Sequence, residues 1–236
     1  MTQPLELTWE QFTNDVVLVL EAQPLSCLAN FDGAGLNYAA RLMHAALGAV
    51  TEVPELIEAY KNRDGVNAME ELGDIYWYLA LALHLAPKGS IREALNTTMT
   101  WGDRLPSMLH EYQDTGRVNY LITNLNIHKD ILTDLCKSGF FYGVWANPEH
   151  AKNSHSLTST LATLAVIINN AAELAYATVK LTGTGEQYLL PSGKINQPFL
   201  LGRIAAKLEK RYPAGHFEAM SAAVRDLQAE RKELEA

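Results

Sequence analysis

Two short acidic pairs carry the chemistry that this sequence offers. Glu52 and Glu55 lie in "TEVPE", and Glu71 and Asp74 lie in "ELGD". Residues three apart share one face of an α-helix, so each pair aims two carboxylates in one direction. The intervening "RDGVN" is a turn signal that lets a second helix fold back on the first. Four carboxylates would then meet across a helix–helix interface, where they repel one another unless cations fill the space. Hard oxygen donors at that density suit Mg2+, with Mn2+ as a substitute. Gly73 gives room for another helix or a phosphate to come close. The plainer alternative is a set of surface acids on amphipathic helices. Against it stands "IYWYLALAL", an almost wholly apolar run directly after the second pair, because charged groups rarely adjoin a core unpaired.

The elements that must position these acids read as helices, with no regular series of alternating strands. Residues 8–20 suit an opening helix with Thr8 as N-cap, and "ANFDGAGL" breaks the chain around Asp32 and Gly33. Residues 36–48 read as helix, and an acidic helical stretch, 51–62, follows directly. Asn67, with Glu70 three residues later, resembles a cap for a helix over about 68–85 that ends before Pro87. Pro54 either kinks its helix, at about 3 kcal/mol or more, or occupies the first turn of one that restarts there. Further helices are expected over 90–100, 118–137, 157–181, 199–212 and 216–236, about eight in all. Between the last long helices, "TGTGEQYLLPSGKINQP" reads as a loop with a small hairpin around Pro191, Ser192 and Gly193.

A faint symmetry relates the halves. "HKDILTDLCKSGFFYG" stands where the first half has "TEVPELIEAYKNRDG", and "LAVIINNAAELAYA" where it has "ELGDIYWYLALALH". A degenerate duplication and a long insertion account for this equally well. The expectation is one all-α domain over 1–236. Residues 36–100 would be its metal-binding helices, 101–198 an insertion or degenerate repeat, and 199–236 the closing helices. If 101–198 is a repeat, its Asn124 and Asp130 would support rather than catalyse.

Composition narrows the function classes. A chain of 236 residues, 48% hydrophobic, builds a core without covalent staples. Its cysteines, Cys27 and Cys136, lie far apart, which argues against a disulfide framework and suits a reducing cytoplasm. The first residues show no basic region followed by an apolar run, so no signal peptide is read. No unbroken apolar run reaches about 18 residues, so no membrane span is read. The net charge of −8 disfavours polymeric nucleic acid as a partner. A small phosphate ligand stays compatible, because bound metal reverses local charge.

The spacing E-x-x-E, an interval, then E-x-x-D resembles the MazG-like superfamily of all-α nucleoside triphosphate pyrophosphohydrolases, which includes the dimeric dUTPases and dCTPases. "LMHAALGAVTEVPELIEAYK" and "EELGDIYWYLALAL" look like its phage-type members in particular, and "IAAKLEKRYPAGHF" and "RDLQAERKELE" echo their usual ending. The resemblance covers about 36–85 and 198–236. It implies a four-helix core and cleavage of a nucleoside triphosphate between its α and β phosphates, giving monophosphate and pyrophosphate. It further implies that Glu52, Glu55, Glu71 and Asp74 hold two or more Mg2+, with Glu55 also taking the proton of the attacking water. Lys61, Asn96, Lys207 and Arg211 become substrate contacts. A homodimer or homotetramer tuning a nucleotide pool, for instance for phage DNA synthesis, is expected.

A non-catalytic helical nucleotide-binding or assembly module that keeps this core is the competing function. It is disfavoured because a scaffold gains stability by replacing buried acids. Plainer roles stand beside the sharp ones. Lys207 and Arg211, four apart, suit ion pairs with neighbouring acids. Glu70 reads as a cap or solvated partner, and Glu58 as an outer-face charge. His44 reads as structural, and Tyr76 and Tyr78 as core. Trp77 is core or a base-stacking surface. "GFFYGVW" lines a base pocket, meets another subunit or caps the core. "TGTGE" reads as a mobile connection, because no strand precedes it and no lysine follows in phosphate-loop register.

Overall fold

Leu42, Ala45, Ala46, Ala49, Val53, Leu56 and Ile57 are buried at intervals of one, three or four residues, the pattern of one helix face turned to a core. They belong to α1, Ala34–Lys61. The computed structural model describes residues 7–17, 34–85, 115–137 and 155–212, with 232 and 234. Four more long helices follow: α2, Gly65–Leu85; α3, Thr115–Cys136; α4, His155–Thr182; and α5, Gln197–Arg211. The architecture is all-α; the only extended pairing among the described residues is an isolated antiparallel bridge between Leu189 and Ile195. That bridge is the expected hairpin around Pro191 to Gly193. It is closed by Leu190 N–H donating to Lys194 O at 2.7 Å and Asn196 N–H to Tyr188 O at 2.7 Å.

Each of α1 and α2 packs against the other and against α4, and α3 packs against α1 and α4. The result is a four-helix bundle, with α5 laid across α2. Burial differs by position. Nearly the whole circumference of α2 is buried, which makes it the central helix. α3 is peripheral and buries one stripe, Val118, Leu121, Leu125, Leu132 and Cys136. Burial also pushes the Cys136 thiol up to about 12, so it serves as a small core group. Within α4, the segment Thr158–Thr182 reaches a mean hydropathy of 1.3 over 18 residues, enough by length and composition to cross a membrane. Asn169, Asn170 and Glu173 interrupt its apolar run. Here 72% of that window is buried against the rest of the chain.

Several boundaries differ from the sequence expectation, each for a local reason. Residues 36–48 and 51–62 are one helix, which continues through Pro54. The proline is exposed, and its ring is accommodated on the solvent side. α1 ends on Arg63, whose φ of 57° is left-handed. Arg63 N–H then bonds Tyr60 O at 3.1 Å and Asp64 N–H bonds Ala59 O at 2.9 Å, a Schellman closure. The next residue after that closure already belongs to α2. Asp64 Oδ1 accepts from Asn67 N–H at 3.0 Å, so Asp64, and not Asn67, caps the helix, which begins three residues earlier than expected. Thr8 does cap the first helical turn and closes a capping box with Gln11. Beyond Gln11 the chain follows a π-helical path over Phe12–Val17 rather than the regular helix expected. The expected helices over 90–100 and most of 216–236 lie outside the described residues.

Two glycines set the interhelical spacing at the acidic face. A Cβ on Gly48 of α1 would overlap the Tyr78 ring of α2, and one on Gly73 of α2 would overlap Ile204 of α5. Gly73 therefore admits a helix, one of its two anticipated uses. Gly73→Ala is expected to destabilise the fold by about 1–3 kcal/mol, the usual cost of overpacking. A fall in the denaturation midpoint with unchanged slope measures it; an unchanged midpoint would show that α5 shifts freely.

Candidate metal centre

The short turn between α1 and α2 brings the two acidic pairs face to face. Glu52, Glu55 and Glu71 each offer a carboxylate oxygen, all within 4.8 Å of one another. Glu55 is exposed, Glu52 half-buried and Glu71 buried. The group thus opens to solvent at one side and rests on the core at the other.

Asp74 borders this trio, and its charge acts on both Glu52 and Glu71. Its own oxygens are engaged elsewhere. Lys207 Nζ donates to Asp74 Oδ1 at 2.7 Å, to Asp74 Oδ2 at 2.6 Å and to Glu70 Oε1 at 3.1 Å. Lys207 is 0% exposed. Burial by itself lowers the pKa of this ammonium, but Asp74 and Glu70 outweigh that effect and hold it above the ordinary lysine value. Removing one partner from such a buried pair costs about 3–5 kcal/mol, because the other charge is left uncompensated.

The electrostatics of the trio run the other way. Burial and then the neighbouring Asp74, Glu70, Glu52 and Glu55 charges push the Glu71 carboxyl up to about 10. Burial, Asp74 and Glu55 push Glu52 up to about 7, partly offset by a hydrogen bond from Glu71 and by Lys207. At neutral pH Glu71 is therefore protonated and shares its proton with Glu52. Five carboxylates face one buried ammonium. The proton on Glu71 offsets part of this repulsion, and a divalent cation would do the same work better.

The other anticipated residues sit as follows. Lys61 is exposed in the last turn of α1, with no bond to the acidic group. Arg211 is half-buried one turn beyond Lys207, and its charge acts on Lys207 and on the Tyr78 phenol. Asn96 lies outside the described residues. Glu58 is exposed, as an outer-face charge should be. Tyr76 and Trp77 are buried, and Tyr78 is half-buried against Gly48. The His44 ring meets Trp77 edge-on at 5.6 Å and Tyr78 at 5.7 Å, so an aromatic layer lies one to two turns from the acids.

Two features escaped the sequence reading. Glu70 is a buried partner of Lys207 instead of a cap. The signal was present: Leu200, Ile204 and Lys207 recur at helical spacing, so the lysine falls on the stripe that Gly73 receives. "TGTGE" is seated on the start of α2 instead of being a loose connection. Thr184 Oγ1 accepts from Gly65 N–H at 2.8 Å, and Gly185 holds a φ of 81° against Gly65. No local signal could have paired segments so distant in sequence. Compared with known proteins, the chain matches no family model, no curated protein and no solved structure, so the geometry and the motifs carry the functional reading.

Proposed function

We propose that this chain is a Mg2+-dependent nucleoside triphosphate pyrophosphohydrolase built on a MazG-like bundle. The observation that carries the reading is the meeting of Glu52, Glu55 and Glu71 within 4.8 Å, from the two helices and at the spacing that the resemblance requires. Their donor chemistry fits the ion: hard oxygens, partly buried, that repel one another. Bound there, Mg2+ would neutralise phosphate charge and polarise the α-phosphate.

The chain's own groups do the rest. Glu55, the solvent-facing member, takes the proton of a water that attacks the α-phosphorus. The bond from that phosphorus to the bridging oxygen breaks, and pyrophosphate leaves with the electron pair. Glu71, anchored in the most buried helix, fixes the trio's geometry. Arg211 and Lys61 supply cationic groups for the outgoing phosphates, and a nucleotide-pool role, for instance in phage DNA synthesis, is consistent with such a reaction. Homodimers or homotetramers suit the partly exposed Tyr120, Ile127 and Ile131, which follow one another along α3.

The competing reading, a helical module that binds or assembles without catalysis, draws on one observation. Lys207 already neutralises Asp74 inside the protein, as a structural ion pair would. A panel of ribo- and deoxyribonucleoside triphosphates with Mg2+ separates the two. Pyrophosphate and monophosphate from at least one nucleotide is the expected result. No pyrophosphate from any, with wild type equal to Glu71→Gln, would favour the module.

A further inference from the structure

We propose that Lys207 is a positioning residue that reserves Asp74 and Glu70, so that, among the described residues, Glu52, Glu55 and Glu71 form the donor set for one divalent ion per chain. This rests on the metal reading above and departs from the ligand set of four and the two or more ions that the resemblance implies.

Three observations carry it. An ammonium has three N–H donors, and Lys207 has three acceptor contacts: both oxygens of Asp74 and Oε1 of Glu70. It is fully buried, so no donor is left to meet a phosphate, and no water screens it from a cation beside Asp74. A divalent ion ligated by Asp74 would sit next to that ammonium and be repelled by it. Second, the trio's oxygens all lie within 4.8 Å of one another. Ligands at about 2.1 Å from a single Mg2+ lie up to about 4.2 Å apart, so a small closure fits them around one ion. A pair of ions about 3.5–4 Å apart would need a further carboxylate, and among the described residues the adjacent one, Asp74, is held by the lysine. Third, the lysine's position is built into the fold. Ile204 sits in the notch left by Gly73, and one turn further along α5 Lys207 arrives between Glu70 and Asp74, which flank that notch on α2.

Counting bound Mn2+ tests this without reference to activity. Metal-free protein is titrated with Mn2+ in the absence of nucleotide, and free ion is read by electron paramagnetic resonance. Wild type is expected to bind one Mn2+ per chain. Asp74→Asn is expected to bind one as well, with Kd raised by no more than the roughly 10–100-fold that loss of a group beside the ligands costs. Lys207→Met, if its circular dichroism is that of a folded helical protein, is expected to bind a second Mn2+, and adding Asp74→Asn to it should return the count to one. Two ions on wild type, or a Kd raised more than about 100-fold by Asp74→Asn, would overturn the proposal and leave the metal reading intact. A folded Lys207→Met that still binds one ion would overturn the lysine's role. No Mn2+ on wild type would overturn both. Should Lys207→Met not fold, the wild-type and Asp74→Asn counts decide the matter, since both keep the lysine.

Discussion

Glu71→Gln is expected to abolish pyrophosphate release, by on the order of 10³-fold or more, while leaving the metal-free protein at least as stable as wild type. The two halves of this result have one cause. Glu71 is buried among four other carboxylates and carries a proton at neutral pH when no metal is present. Glutamine has nearly the shape of that protonated acid, and its amide can donate to Glu52 as the acid does. The metal-free fold thus loses nothing that it uses. A metal-bound state would lose a charged ligand held rigidly by the core. Measured together, pyrophosphate release and the denaturation midpoint separate this outcome from simple unfolding. A variant that keeps wild-type turnover would remove Glu71 from the site. One that loses both activity and stability would assign it to the fold.

The second large effect is on pH dependence. Glu52 is raised to about 7 and Glu71 to about 10 in the folded chain, from an ordinary carboxylate value of 4.5. The folded state then binds more protons than the unfolded state between those values, so stability falls as pH rises. Their favourable contribution is complete below the unfolded value and is lost as pH climbs through the folded ones. Lys207 does not reverse this trend. Its folded pKa lies above the ordinary lysine value, so its contribution is constant through this range and is lost only at higher pH. The metal-free melting temperature is therefore expected to fall from about pH 5 to about pH 8. Mg2+ should counter the fall, because on the proposed function it would bind the deprotonated carboxylates and release their protons. Its stabilising shift should thus be larger at the upper end of the range, and calorimetry in buffers of different ionisation enthalpy should show proton release on binding. A melting temperature that rises with pH, or a Mg2+ shift equal at both ends, would contradict a buried and mutually repelling trio.

Much of this protein was legible in one dimension. The 3.6-residue recurrence of apolar positions indicated α1 to α5, because a helix that packs on one face must repeat its apolar residues at that period. E-x-x-E and E-x-x-D identified the acidic faces, because spacing by three puts side chains on one side of a helix whatever the fold. Thr8 as a cap and the hairpin near Ser192 also followed from local rules. Local rules failed where competing local solutions existed. Asp64 and Asn67 are both competent caps, and the Schellman closure at Arg63 left Asp64 in the capping position.

What the tertiary structure alone decided is the fate of each charge. Sequence spacing brought four acids toward one interface but could not say which of them would meet a cation supplied by the chain itself. Lys207 and Asp74 are 133 residues apart. Their pairing depends on α5 crossing α2 at Gly73, and so on packing rather than periodicity. Likewise Thr184 reaches Gly65 from 119 residues away, and that seat for the start of α2 exists only once the bundle has closed. Helical period is a property of neighbouring residues and survives in the sequence. The partition of five carboxylates between a lysine and an open trio is a property of distance in space, which only the folded chain defines.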